Sequence, residues 1–401
     1  MNTNIKEICF EEVLDKPIGN IGINVSNGKI EIIMPRCYNL GLDDNSIRDD
    51  IFTLINTLNL YKNRVDSTAY LENEKNLLEG FGENLPVNNI LWLLNDYIQH
   101  GIFKETTFNY KKSKFGKIDW SKTIKSMPIY YSNNNFIYLD FIVKNKIYDE
   151  DYLLTLIHQH CICKCIDLFG WLYNGLIPLN SPNFNFNSGE CLNFLNLEIL
   201  KTNNDYKRHL ITNLIEFIKC SGEDISNDKF KNFSISSFYS VWEDMLRVIF
   251  SNEDEKNHYS RAQWHLEGDT YTCHPLKPDI ILKDNNKFYV IDAKYFTYGL
   301  TFLPKDLPGS SDISKQFSYS SYIAKKNNIP ESFVQDVFLI PYKSNGEDIF
   351  KFIGNATIDS HPGRKINCLF VDIKTIMKLY TNKSNYDYYK SKLLYELNKI
   401  K

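Results

Sequence analysis

The sequence predicts a mixed fold, α+β or α/β, in which a mixed but largely helical N-terminal region precedes a C-terminal core. That core reads helix, strands, helix, strand. Three observations lead there. Apolar residues recur at helical spacing in the first half, as in Ile90, Leu93, Leu94, Tyr97 and Ile98. From Asp279 to Val371 the pattern changes to short apolar runs bounded by polar turns. A polar, turn-rich stretch, Ser221-Gly222-Glu223-Asp224 through Lys229, separates the two. The expected division is therefore 1–225 and 226–401.

In chain order, Ile21–Pro35 alternates like a strand pair around Ser26-Asn27-Gly28, where Asn-Gly favours a tight hairpin turn. Helical patterns follow at Ser46–Arg64 and Pro86–Phe103, and Pro86 suits a first turn because its missing N–H would be unpaired there. Lys104–Lys125 is basic: seven lysines stand against Glu105 and Asp119, a local charge of +5, with Tyr110, Phe115 and Trp120 interleaved. A strand is expected at Phe136–Val143, then helices at Asp151–Tyr173 and Cys191–Cys220. Beyond the boundary come a helix at Ser234–Phe250 and strands near Tyr271, at Asp279–Leu282 and at Phe288–Ala293. A helix at Ile313–Asn327 follows, then strands at Asp336–Pro341, Ile349–Ile358 and Ile366–Val371, and a closing helix at Asp372–Lys399.

With 401 residues, 43% apolar, 24% charged and a net charge of −3, the chain is neither disordered in bulk, nor collagen-like, nor a basic histone-like protein. The small net charge conceals segregation, because Lys351–Lys401 carries +6 beside the +5 of Lys104–Lys125. The 26 Tyr and 26 Phe are read as coding bias, not as a base-stacking surface. Acidic residues at Glu7, Glu11, Glu12 and Asp15 replace the apolar core of a signal peptide. No run reaches the roughly 18–20 apolar residues that span a bilayer, so a cytoplasmic chain with reduced thiols and no membrane partner is expected. His158, His160, Cys161, Cys163 and Cys165 invite a zinc reading, but the two-residue steps match no usual ligand spacing. Leu154, Ile157, Cys161, Cys165 and Phe169 instead trace an apolar helix face.

The chemistry is concentrated in two segments. Lys277-Pro278-Asp279-Ile280-Ile281-Leu282 and Phe288-Tyr289-Val290-Ile291-Asp292-Ala293-Lys294 read as strands joined by a polar turn. Residues two apart on a strand face the same side, so Asp292 and Lys294 project together and Asp279 can come alongside. Two hard oxygen ligands suit Mg²⁺, which lowers the pKa of bound water and stabilises charge on phosphate. The lysine can orient or deprotonate the attacking water, or offset phosphate charge. This is equipment for phosphodiester hydrolysis. The amphipathic helix at Ser234–Phe250 carries Glu243, a third carboxylate that could reach the metal if the helix folds against the sheet. A competing reading is a hairpin whose ends bear incidental solvated charges. His274 adjoins the motif, but only its position recommends it.

Pro278-Asp279 and Asp292-Ala293-Lys294 resemble the two halves of the PD-(D/E)xK nuclease motif, and the order from Ser234 to Pro341 fits that superfamily's αβββαβ core. The resemblance implies catalytic roles for Asp279, Asp292, Lys294 and Glu243. It implies Mg²⁺, with Mn²⁺ able to substitute, held by Asp279, Asp292, Glu243 and the backbone carbonyl of Ala293. Downstream, Tyr319 stands three positions after Gln316, a departure from the Gln-x-x-x-Tyr pattern of some branches. It looks more like the Lys-Gln-x-x-Tyr segment of McrC and LlaJI-type proteins, which implies Lys315 and Gln316 near the phosphate. A helix start with Asp312 near its N-terminus is the alternative.

Upstream, Gly116-Lys117-Ile118-Asp119-Trp120-Ser121-Lys122-Thr123-Ile124 resembles the Gly-x-Ile-x-Trp-x-x-Thr-Ile segment of the LlaJI restriction endonucleases. That likeness implies a type II-like enzyme cutting double-stranded DNA within a restriction-modification system. The N-terminal region would recognise DNA or a partner, Lys112, Lys114 and Lys117 would contact phosphates, and Trp120 would pack or wedge. Burial of Trp120 in the core is the alternative. Similarity to McrC-type subunits implies an AAA+ GTPase partner. The chain has no Walker A loop, so any motor would be another chain. Other readings are a repair or transposition endonuclease of the same fold, or a DNA-binding scaffold with an inert nuclease fold. Double-strand cutting usually needs two active sites, so a homodimer or higher assembly is expected.

Overall fold

The computed structural model describes residues 5–12, 20–26, 29–68, 81–83, 85–132, 135–149, 151–176, 178–221, 231–344, 346 and 348–400. The chain forms two compact units, Met1–Asn2 with Leu85–Asn227 and Thr3–Asn84 with Asp228–Lys401. This differs from the expected division at 225, because residues of the first quarter belong with the C-terminal half. The reason is strand pairing. Ile21–Ser26 pairs antiparallel with Lys29–Met34, as its alternation predicts, and also with Lys231–Ile235, with Ile21 opposite Ile235. The turn at 27–28 and all of the expected boundary after Ser221, 222–229, lie outside the described residues. The resulting five-stranded sheet runs Cys9–Glu11, Lys29–Met34, Ile21–Ser26, Lys231–Ile235, Phe81–Glu83. Lys231–Ile235 takes over the start of the helix expected from Ser234, so that helix begins at Tyr239.

A second five-stranded sheet carries the motif. Its order is Ile280–Asp284, Lys287–Ala293, Val334–Tyr342, Ile366–Asp372, Phe350–Ala356. The three inner strands are mutually parallel and the two edge strands antiparallel to their neighbours. Inner strands covered on both faces need continuous apolar runs, and Ile366–Asp372 is buried throughout. The helix Ser310–Lys326 lies on one face, with Tyr319 and Ile323 packed on Ile281, Phe288 and Val290. The strand expected near Tyr271 does not join this sheet; Asp269–Thr272 pairs with Gln263–Leu266 as a separate exposed hairpin. The closing helix is two helices, Ile373–Asn382 and Tyr386–Lys399, broken where Lys383 and Asn385 take positive φ.

The other unit is largely helical, with Val87–His100, Leu153–Phe169, Ser188–Lys201 and Asp205–Ser221. The single helix expected at Cys191–Cys220 is thus two, and Asn204 receives the N–H of Lys207 where the second begins. Cys161, Cys163 and Cys165 are buried in Leu153–Phe169, and burial raises the pKa of all three thiols. They are small core residues, as their spacing suggests. The basic segment forms a long antiparallel pair, Glu105–Ser113 with Phe141–Asp149, and a short helix, Trp120–Ser126, capped by Asp119. Among the described residues, no helix is long and apolar enough to cross a membrane.

Candidate active site

Ile280–Asp284 and Lys287–Ala293 form the hairpin that their sequence calls for, with Asp284 opposite Lys287 across a two-residue turn. Asn285 takes a φ of 52° there, a conformation Asn tolerates because its short polar side chain bonds locally. Ile280 pairs with Ile291, so Asp279 falls one step beyond, level with Asp292. Asp279 Oδ2 accepts the Ala293 N–H at 2.9 Å, and the carboxyl lies close enough to Asp292 to feel its charge. The Lys294 N–H turns the other way, to Leu339 O at 2.9 Å. In an extended strand a residue's N–H and C=O leave the same side, so the Ala293 carbonyl faces the side of Asp279.

Asp292 and Lys294 are 4% and 6% exposed. Lys294 Nζ lies 2.7 Å from Asp292 Oδ2 and 2.7 Å from Asp312 Oδ1. The Asp312 contact is an aligned hydrogen bond. The Asp292 contact is an ion pair of the same length, nearly buried on both sides. Burial alone would lower the pKa of Lys294; Asp292 and then Asp312 outweigh it, and the net shift is upward. The amine is therefore a protonated donor in this arrangement and not a free base. Asp279 is pushed well above the carboxylate range, by burial first and then by the charge of Asp292. A pair of carboxylates this close must share a proton or a cation.

Glu243 stands on Tyr239–Phe250, whose buried face of Val241, Trp242, Met245 and Ile249 fixes its direction. It takes a hydrogen bond from Tyr239 and feels the charges of Asp292 and Lys294, and burial raises its pKa. Arg247, one turn on, donates Nε to the Asp279 carbonyl at 3.2 Å. Among the described residues, no three acidic, His or Cys side chains converge closely enough to hold a metal ion. Glu243 is therefore within electrostatic reach of the pair but does not complete the expected ligand set. The residues still fit a divalent cation of Mg²⁺ type, which needs only one or two carboxylates and keeps several waters. The observation that favours the fit is the donor chemistry: two carboxylates side by side, with the acidity of Asp279 suppressed by burial and by the charge of Asp292.

Lys315 is exposed, pairs with Tyr319, and feels Asp292 and Asp279. Gln316 differs from its neighbour and from expectation. It is fully buried, with Nε2 donating to Val290 O at 2.6 Å, so it supports the sheet and offers no surface to DNA. His274 is exposed. In the other unit, Lys112 is paired with Asp140 at 2.8 Å, while Lys114 and Lys117 are exposed. Trp120 is 53% exposed and packs edge-on against Tyr138 and Phe141, so it is not a core residue. Tyr239, Arg247 and Asp312 were not singled out as site residues from sequence. The spacing of Tyr239, Glu243 and Arg247 at four-residue steps on one helix was the available signal.

A family model described as LlaJI restriction endonuclease matches residues 20–380. The chain belongs to the LlaJI restriction endonuclease family. Glu243, Asp279, Asp292, Lys294 and the Gly116–Ile124 segment all lie within the matched LlaJI span. The chain is 26% identical to the Type II restriction enzyme BsuMI component YdjA of Bacillus subtilis (strain 168), over 99% of this chain and 88% of that one. A solved assembly of Thermococcus gammatolerans McrB AAA+ hexamers with bound McrC is a distant structural neighbour. Its identity is 15%, its TM-score 0.35, and the match covers 90% of this chain and 81% of that one.

Proposed function

We propose that this chain is the nuclease of a type II-like restriction-modification system, hydrolysing phosphodiester bonds of double-stranded DNA at Asp279, Asp292 and Lys294. The observation that carries the reading is Asp279 alongside the buried Asp292, with Lys294 beside them, at adjoining ends of two hairpin strands. The sheet behind it, flanked by Tyr239–Phe250 and Ser310–Lys326, supports a PD-(D/E)xK core, with the strand near Tyr271 as the departure. A cytoplasmic setting goes with a duplex DNA substrate.

Asp279 and Asp292 would hold Mg²⁺, with the Ala293 carbonyl on the same side and Glu243 adding negative charge from farther out. Bound there, the cation would lower the pKa of water and stabilise negative charge on phosphate. Lys294, already protonated between two carboxylates, would donate to a phosphate oxygen or orient the attacking water and offset developing charge. Lys315 would add a second positive charge at the edge of the site. Arg247 donates to the backbone carbonyl of Asp279 and would steady that end of the strand.

A second reading is a nuclease subunit that works only with partners, among them an AAA+ GTPase. It is favoured by the name of the Bacillus subtilis relative, a component of its enzyme. A homodimer or larger assembly on DNA belongs to both readings. Incubating unmodified duplex DNA with Mg²⁺ and the chain, alone and with the products of adjacent reading frames, tests the proposal. Discrete fixed-site fragments, lost on chelation and restored by Mg²⁺ or Mn²⁺, are expected. Cutting confined to branched junctions would point to repair or transposition, and DNA binding without any cutting to a scaffold.

A further inference from the structure

Between the helix that carries Glu243 and the strand that follows Asp279, the chain forms a ribbon, Gln263–Leu266 with Asp269–Thr272, exposed at every residue. Its root is tied down. Ser260 and Leu276 exchange backbone hydrogen bonds at 3.4 and 2.7 Å, and the Cys273 N–H donates to Ala262 O at 2.8 Å. On one side of this root, buried His258 packs edge-on against Phe288 of the motif hairpin. On the other, buried Pro278 leads directly into Asp279.

Side chains along such strands alternate between two faces. One face is largely apolar, with Trp264 opposite Tyr271 and Leu266 opposite Asp269. The other is polar. Gln263 stands opposite Thr272 and His265 opposite Thr270, with His265 Nδ1 3.3 Å from Thr270 Oγ1. The same alternation carries Arg261 and His274 onto this face, and all six side chains are exposed. The ribbon's carboxylates, Glu267 and Asp269, lie at the turn and on the apolar face. Arg, Gln and Thr are side chains that read base edges, Arg pairing with guanine and Gln with adenine, and the major groove is wide enough for a two-stranded ribbon. At no more than about 3.6 Å of chain per residue, His274 lies within about 18 Å of Asp279 and Thr270 within about 32 Å. One turn of a duplex is about 34 Å.

We infer that the polar face of this ribbon, from Arg261 to His274, reads base edges in the major groove of duplex DNA within one turn of the phosphate cut at Asp279. This rests on the nuclease reading above and deepens it, by naming the part of the chain that selects sequence. Arg261 and Gln263 carry the discrimination. The tied root keeps reading and cutting at a fixed separation, which fixed-site fragments require.

The test is sequencing of the fragment ends released from a random duplex library in Mg²⁺, with the products of adjacent reading frames supplied. Around its cuts the natural chain should show preferred bases. Arg261→Ala and Gln263→Ala are each expected to relax the preference about tenfold at one or two positions, the scale of one lost bidentate pair, within about ten base pairs of the cut. Leu266→Ala, on the opposite face, should leave every preference unchanged, and thermal melts should match the natural chain for all three. Unchanged preferences in both polar-face variants would overturn the inference, even if cutting falls because a protein partner no longer binds. Equal relaxation by Leu266→Ala would overturn it too. In either event the nuclease reading stands, because the natural chain still cuts. Absence of cutting by the natural chain would instead overturn that reading, and this inference with it.

Discussion

Lys294 shows how far a side chain's role depends on its neighbours. In water a lysine amine is one of many solvated charges; at 6% exposure, between Asp292 and Asp312, it is a fixed donor. Replacing it with Ala is expected to lower cleavage by at least about a hundredfold, the usual range for an electrostatic or proton-handling group, while DNA binding measured by gel shift persists. The pairing of Asp279, Asp292 and Lys294 was legible in the sequence, because strand periodicity alone places such residues side by side. The burial of Gln316 was not, because a helix start reads the same whether a polar side chain meets solvent or a strand carbonyl.

Another residue-scale expectation concerns Asp336, which is buried against Arg364 at 2.9 Å and Ser320 at 3.0 Å. Its carboxyl is pushed up to about 6, by burial first, with Arg364 and Ser320 opposing. A folded-state value above the unfolded one marks stability that is fully present below the unfolded value and is lost as pH rises through about 6. Asp336→Asn removes that titration. Its stability relative to the natural chain should therefore rise by about 1–3 kcal/mol between about pH 4 and about pH 7, as read by urea unfolding at both values. A difference independent of pH would count against this account.

At the scale of elements, the strand Lys231–Ile235 ties the early hairpin to the C-terminal half. Gly22 shows how closely. Its φ is +135°, and an added Cβ would lie 2.3 Å from Phe233 O on that neighbouring strand. Gly22→Ala should destabilise the chain by about 1–3 kcal/mol or more, through clash and backbone strain together. Urea unfolding reads this directly, and an unchanged midpoint would contradict the close approach. The hairpin itself was visible in local alternation. Its third strand was not, because five residues at a helix entrance cannot announce a partner more than 200 positions away. The same limit explains the two long helices that proved to be four. Their breaks rest on local backbone turns at residues that are not Gly or Pro.

For the whole molecule, segregated charge matters more than the net −3. The unit that holds Lys114 and Lys117 also exposes Phe115, Trp120, Tyr131 and Phe136 beside its lysine-rich strands. If that surface binds the duplex, Lys114→Ala with Lys117→Ala should weaken binding regardless of DNA sequence. It should also lower the slope of log affinity against log salt by about 2. An unchanged slope in a salt titration would assign these lysines to a protein partner. Cleavage chemistry should be insensitive to the pair once DNA is saturating, since the acidic pair and Lys294 lie in the other unit.

The claim on which the rest depends is that Asp279, Asp292 and Lys294 form one hydrolytic site. Its most direct measurement is the Mg²⁺-dependent cleavage rate of unmodified duplex DNA by the natural chain, Asp279→Asn and Lys294→Ala, each supplied with the products of adjacent reading frames. The account requires cutting by the natural chain and loss of it in both variants, with their folding and DNA binding preserved. Undiminished cutting by either variant would contradict it.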